Sequence, residues 1–256
     1  MMLLRGTWRG AAATLMCLSC SVTSSTGDDM AYYAKMGGGN VLRAESGRDA
    51  SGKKTRLVMI GASYARGWTD RSPGKFVIVN KGVDGEQSFE MLARFKRDVI
   101  DERPDIVIIW GFINDIFRSS REGIDPTLER TRRSITAMVD FARASGIKPV
   151  IATEVTIRGR SGIKETLASW IGRLRGVESY QDYVNRCVLK TNQSIKEYAR
   201  EQGIPILDFQ PLLADEEGRR KKEYATADGS HLSAAAYTRL AEYAEKYIGS
   251  WNQNGH

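Results

Sequence analysis

At 256 residues with 41% apolar side chains, the chain is long enough for one large α/β domain or two small ones and apolar enough to fill a substantial core. Size therefore permits an enzyme without indicating one. The formal charge of +7 would suit a polyanion, yet the cationic side chains alternate with acidic ones, as in Lys96-Arg97-Asp98 and Asp101-Glu102-Arg103, which argues against nucleic acid as a partner.

In chain order, residues 1–27 have the layout of an export signal. Arg5 and Arg9 precede a short apolar run from Ala11 to Leu18, and a stretch of small polar residues from Ser19 to Gly27 follows. The run is too short to cross a bilayer as a stable helix, so no transmembrane span is expected. Two other readings stand beside the signal: a disordered tail, or a start at Met30. Leu18-Ser19-Cys20 hints at a lipoprotein-type signal with a lipid anchor on Cys20, although Cys17 stands where that signal has leucine. Removal up to or beyond Cys20 leaves Cys187 as a free thiol, which forbids an internal disulfide. No metal site is expected either, because Cys187 has no cysteine neighbour and the histidine other than His231 is His256. The expected location is periplasmic or secreted.

Residues 28–54, rich in Gly, Ser and charge and including Gly37-Gly38-Gly39, read as a flexible linker, residues 55–250 as the domain, and 251–256 as a tail. Within the domain, short apolar runs bounded by turn residues read as strands: Leu57 to Ile60, Phe76 to Val79, Ile106 to Ile109, Val150 to Ala152 and Ile206 to Asp208. They look like strands of a parallel sheet buried on both faces. Between them, Ile135, Met138, Val139 and Ala142 recur at helical spacing, as do Ile195, Tyr198 and Ala199 before Gly203. Leu232, Ala236, Leu240, Tyr243 and Tyr247 form one stripe of a closing helix. Alternating strands and helices predict an α/β fold, a doubly wound three-layer α/β/α sandwich on a five-stranded parallel sheet, with ligands beyond the carboxyl ends of the strands. No internal repeat is visible.

Four segments carry candidate chemistry, three of them at strand ends. Gly61-Ala62-Ser63-Tyr64 follows the first strand, and Ser63 reads either as a helix N-cap or as a hydroxyl facing a cleft. Asn80-Lys81-Gly82-Val83-Asp84-Gly85-Glu86 follows the second, with glycines that let backbone N–H groups approach a ligand. Trp110-Gly111-Phe112-Ile113-Asn114-Asp115 follows the third and offers an amide side chain at the same edge. Both are equally readable as ordinary strand-end turns. Asp228-Gly229-Ser230-His231 precedes the last helix, either as an Asx-turn capping that helix or as a base with its orienting carboxylate. His231 lies inside the domain, so a serine–histidine mechanism there must use it.

Taken in order, these four segments resemble the blocks of the SGNH (GDSL-like) serine hydrolase superfamily from about Arg56 to about Tyr247. Two departures stand out: Ala62 occupies the place of the usual aspartate, and Gly111 lies one residue further from Asn114 than in the common pattern. The resemblance implies a flavodoxin-like fold and a serine esterase that cleaves O-acyl esters through an acyl-enzyme. In it Ser63 is the nucleophile, His231 the base and Asp228 its partner. The N–H groups of Ser63 and Gly85 and the side chain of Asn114 form the oxyanion hole, and no metal or organic cofactor is required.

The segment from Thr156 to Asn192 holds Arg158, Arg160, Lys164, Trp170, Arg173, Arg175 and Tyr180. By resemblance it lines or covers the cleft, and a basic, aromatic wall suits an anionic or sugar-bearing ester, such as an acetylated carbohydrate. A solvated helix followed by a loop is the plain alternative. A lysophospholipase or thioesterase-like acyl hydrolase, an O-acyltransferase and a non-catalytic envelope binding module remain open at this point.

Overall fold

β-branched runs too short for helices and closed by turn residues become strands when other elements cover both of their faces. In the computed structural model, residues 54–69, 76–158 and 178–253 are described. They form β1 (Thr55–Gly61), β2 (Phe76–Gly82), β3 (Ile106–Trp110), β4 (Lys148–Ala152) and β5 (Ile206–Leu207), paired in parallel in the order β2-β1-β3-β4-β5. Helices cover both sides, as a doubly wound sheet requires: α1 (Ser63–Arg66), α2 (Ser88–Ala93), α3 (Ile113–Phe117), α4 (Ile124–Ala144), α5 (Tyr180–Gln202), α6 (Gln210–Leu213) and α7 (Ala234–Gln253). The expected signal (1–27), its Cys20, most of the linker, the end of the tail and the wall residues Arg160, Lys164, Trp170, Arg173 and Arg175 lie outside the described residues.

Strand burial follows position in the sheet. β3 is buried throughout and β1 and β4 nearly so, while β2 is an edge strand with Val77 at 42% exposure, which corrects the expectation of burial on both faces for all five. β2 also runs on through Asn80, Lys81 and Gly82, which pair with Met59, Ile60 and Gly61 of β1. Only Val83 to Gly85 make the turn. The expected stripe of α4 is buried at Ile135, Met138, Val139 and Ala142. The closing helix begins after Leu232, whose backbone forms an antiparallel bridge with Ala225. Ser233 Oγ accepts from Ala236 N at 3.2 Å, and the buried face of α7 is Ala236, Leu240, Ala241, Ala244 and Ile248.

After β4 the chain stays buried from Thr153 to Ile157; Thr153 N still reaches Leu207 O of β5 at 3.0 Å, and the peptide groups that follow need other partners. Amide side chains supply them. Asn192 accepts from Glu154 N (2.9 Å) and donates to Glu154 O (2.7 Å), Asn185 does the same for Ile157 (2.8 and 2.9 Å), and Gln210 accepts from Thr156 N (2.8 Å). Beneath the carboxyl ends of the strands, Trp110 sits edge-on to Phe209 at 5.0 Å and to Trp68 at 6.0 Å, a rigid aromatic floor.

Candidate active site

The strand order reverses between β1 and β3, and the segments leaving β1, β2 and β3 meet at one edge, where parallel sheets open a crevice. Ser63 opens α1 directly after β1. Its place is not the N-cap: Ala62 holds that position and no side chain caps the helix. Asn80 explains why the turn is fixed, since its amide donates to the carbonyls of Ala65 (2.7 Å) and Trp68 (2.8 Å) and its Oδ1 accepts from Gly82 N (2.8 Å). The chain folds tightly here. At Gly111, with φ +154°, a Cβ would stand 2.9 Å from Ala62 N, so this glycine serves the packing of β3 against the Ser63 turn.

Gly85 follows β2 with φ +75°, a conformation that L side chains rarely adopt. The N–H groups of Ser63 and Gly85 are engaged by no partner among the described residues. Asn114, in the first turn of α3, donates one amide hydrogen to Glu86 O at 2.9 Å, which ties the side chain to the loop of Gly85 and leaves the second hydrogen. Neighbouring Asp115 is wholly buried and accepts from Ser88 N and Oγ at 2.8 and 2.9 Å. It joins α2 to α3, and burial raises its carboxyl.

On the other side of the edge, Asp228 Oδ1 accepts from Ser230 N (2.7 Å), His231 N (3.0 Å) and Thr226 Oγ1 (2.9 Å), while Oδ2 stands 2.7 Å from His231 Nδ1. Burial alone would raise this carboxyl. The hydrogen bonds from His231, Ser230 and Thr226 outweigh it and hold Asp228 well below the usual carboxylate range. A carboxylate only accepts, so a neutral imidazole here carries its proton on Nδ1 and offers Nε2 as an acceptor. Asp228 does not cap α7, a task that falls to Ser233.

The two sides are joined through Tyr64. Its hydroxyl donates to Ser230 O at 2.6 Å, and Tyr237 donates to Tyr64 O at 3.1 Å. No hydrogen bond links Ser63 Oγ to His231 among the described residues. The structure thus brings Asp228 onto His231 and Asn114 onto the Gly85 loop, and it sets the Ser63 turn against the His231 loop through their neighbours.

Three buried residues at this edge were assigned no role by the sequence. Glu154 is wholly buried and accepts from Phe112 N at 2.7 Å, with Oε1 unpartnered among the described residues, and burial pushes it up to about 7. Tyr64 is pushed up to about 12, again by burial. Arg220 is 1% exposed. A lone acid in the apolar run Ile151-Ala152-Thr153-Glu154-Val155 was a readable signal, whereas Arg220 lies in a charged stretch that looks like solvated surface. Of the expected wall, Arg158 is described and reaches inward, with its N–H on Gly229 O (2.9 Å) and its guanidinium on Arg220 O (3.2 Å), and Tyr180 is 57% exposed.

The sequence model of the GDSL-like lipase/acylhydrolase family matches residues 51–239. Among solved structures, a GDSL-like lipase from Bacteroides thetaiotaomicron is similar over 86% of this chain and 97% of its own, with a TM-score of 0.60 and 20% identity. An acetylxylan esterase from Geobacillus stearothermophilus is similar over 76% of this chain and 94% of its own, with a TM-score of 0.58 and 20% identity. An uncharacterized lipoprotein of Bacillus subtilis is 27% identical over 84 residues. That match takes in 33% of this chain, which spans about a third (35%) of the relative's length.

Proposed function

Because this chain belongs to the GDSL-like lipase/acylhydrolase family and is on that ground an acyl hydrolase, we propose that it cleaves carboxylic esters with Ser63 as nucleophile, His231 as base and Asp228 as orienting carboxylate. The observation that carries this reading is the 2.7 Å contact between His231 Nδ1 and Asp228 Oδ2. It leaves Nε2 as the basic nitrogen on a loop held against the Ser63 turn.

In this mechanism a bound ester carbonyl lies over the N-terminus of α1. Ser63 Oγ attacks the carbon as its proton passes to Nε2 of His231, and the imidazolium is stabilised by Asp228. The oxyanion is received by the N–H groups of Ser63 and Gly85 and by the second amide hydrogen of Asn114. His231 returns the proton to the leaving alcohol, and water then opens the acyl-enzyme with His231 again as base. The Ser63–His231 hydrogen bond forms with substrate in place, as is common for catalytic contacts that are loose in the free enzyme.

The substrate proposed is a small acyl ester, an acetylated carbohydrate first. An exposed ring such as that of Tyr180 suits a sugar, and one structural relative is described as an acetylxylan esterase. The site of action proposed is outside the cytoplasm, in keeping with the lipoprotein relative and with the absence, among the described residues, of a helix long and apolar enough to cross a membrane.

Ser63→Ala tests the reading. Aryl esters graded from acetyl to long acyl chains should be hydrolysed by the wild-type protein and not by the variant, with acetyl preferred. A fluorophosphonate should label Ser63, and an adduct found elsewhere, or an active Ser63→Ala protein, would overturn the assignment.

A further inference from the structure

A guanidinium removed from water is costly unless it finds hydrogen-bond partners, so a buried arginine marks a place where several groups must be held at once, and Arg220 finds them through both Nη atoms while its Nε has none among the described residues. Arg220 leaves the antiparallel bridge between Ala214 and Arg220, which is pinned further by Lys221 N on Leu213 O at 2.9 Å. From this fixed base its side chain runs inward. Nη1 donates to the carbonyls of Ser230 and His231, both at 2.9 Å, and Nη2 donates to the Tyr64 hydroxyl at 2.6 Å. That hydroxyl donates in turn to Ser230 O. One side chain therefore grips the two peptide groups that carry the imidazole and the residue next to Ser63.

We propose that Arg220 is a positioning residue of the hydrolytic site, fixing the His231 imidazole against the Ser63 turn by holding the Ser230 and His231 carbonyls and the Tyr64 hydroxyl together. The proposal rests on the reading of Ser63 and His231 as nucleophile and base. His231 and Asp228 have side chains 56% and 43% exposed, so packing from the solvent side does little to steady them and the hold comes from beneath. A displacement of about 1 Å between reacting groups can cost about a hundredfold in rate. Lysine keeps the charge but offers a single ammonium in place of the planar fork, and it cannot serve three oxygens set in this geometry.

The experiment compares wild type, Arg220→Lys and Tyr64→Phe for kcat, KM and fluorophosphonate labelling of Ser63, with melting temperature and circular dichroism recorded on the same samples. Tyr64→Phe removes one hydroxyl while Arg220 stays, which keeps the test open if Arg220→Lys folds poorly. Each variant should lose about tenfold or more in kcat with KM changed less than about threefold, and Ser63 labelling should slow in step. The double variant should lose less than the product of the two single losses, because both side chains act on the same hold on the Ser230 and His231 peptides. Folded variants with kcat within twofold of wild type, or with only a lower melting temperature, overturn the role of Arg220 while labelled Ser63 leaves the esterase reading standing. A wild-type protein that neither hydrolyses esters nor takes the label overturns both.

Discussion

Asp228 uses its two oxygens for different purposes, Oδ1 for the turn that shapes the loop and Oδ2 for the imidazole. Asparagine can keep the first, because its carbonyl accepts the same N–H groups, but an amide nitrogen in the place of Oδ2 donates where it should accept. Asp228→Asn should therefore keep the turn and the fold while lowering kcat by orders of magnitude, measured by denaturant titration and steady-state hydrolysis of the same preparation. Full activity in the variant would leave Asp228 a purely structural turn residue. From sequence an Asx-turn capping the last helix and a base partner looked like competing readings of this aspartate; it makes the turn, leaves the cap to Ser233, and meets the imidazole with its other oxygen. Arg220 was illegible for the opposite reason. Its neighbours Arg219, Lys221 and Lys222 are the composition of a surface, and only tertiary contact turns one of the four inward.

Between elements, the beginning of α3 is tied to the loop after β2 by a single bond, from Asn114 to Glu86 O. Asn114→Ala removes that tie along with the proposed oxyanion donor. The expected outcome is a fall in kcat of about a hundredfold with KM little changed, and an effect below about threefold would leave the two N–H groups as the oxyanion hole by themselves. The odd placement of Gly111 was read from sequence as a departure that bears on Asn114. Its φ and its contact with Ala62 tie it to the neighbouring turn instead. Strand positions were legible because β-branched runs between turn residues admit few alternatives. The run-on of β2 through Asn80 and Gly82 was not, since asparagine and glycine disfavour strands locally and hold here only by pairing with β1. Leu232 fell on the right helical spacing but belongs to a bridge before α7, a boundary set by the Ser233 cap.

For the molecule as a whole, Glu154 links pH to stability. Its carboxyl moves from 4.5 to about 7 on folding, so between these values the folded chain keeps a proton that the unfolded chain has lost. Its contribution is fully present below pH 4.5 and disappears as pH rises through about 7, a difference of roughly 3 kcal/mol. Calorimetric melting of wild type and Glu154→Gln from pH 5 to 8 should show the wild-type curve falling relative to the variant, whereas parallel curves would mean that folding does not raise the carboxyl of Glu154. The difference cancels groups such as Asp98, held down to about 2 against burial by hydrogen bonds from Arg97 and Arg94, in both proteins. The contact of Tyr64 with Ser230 spans 166 positions of the chain, and it has a consequence for timing. A polypeptide made from its amino end displays the serine long before the imidazole exists. On the proposed mechanism, a chain interrupted before His231 would be inert toward esters, however well its first strands have paired, and esters in the compartment of synthesis would be spared until the last tenth or so of the polypeptide arrives.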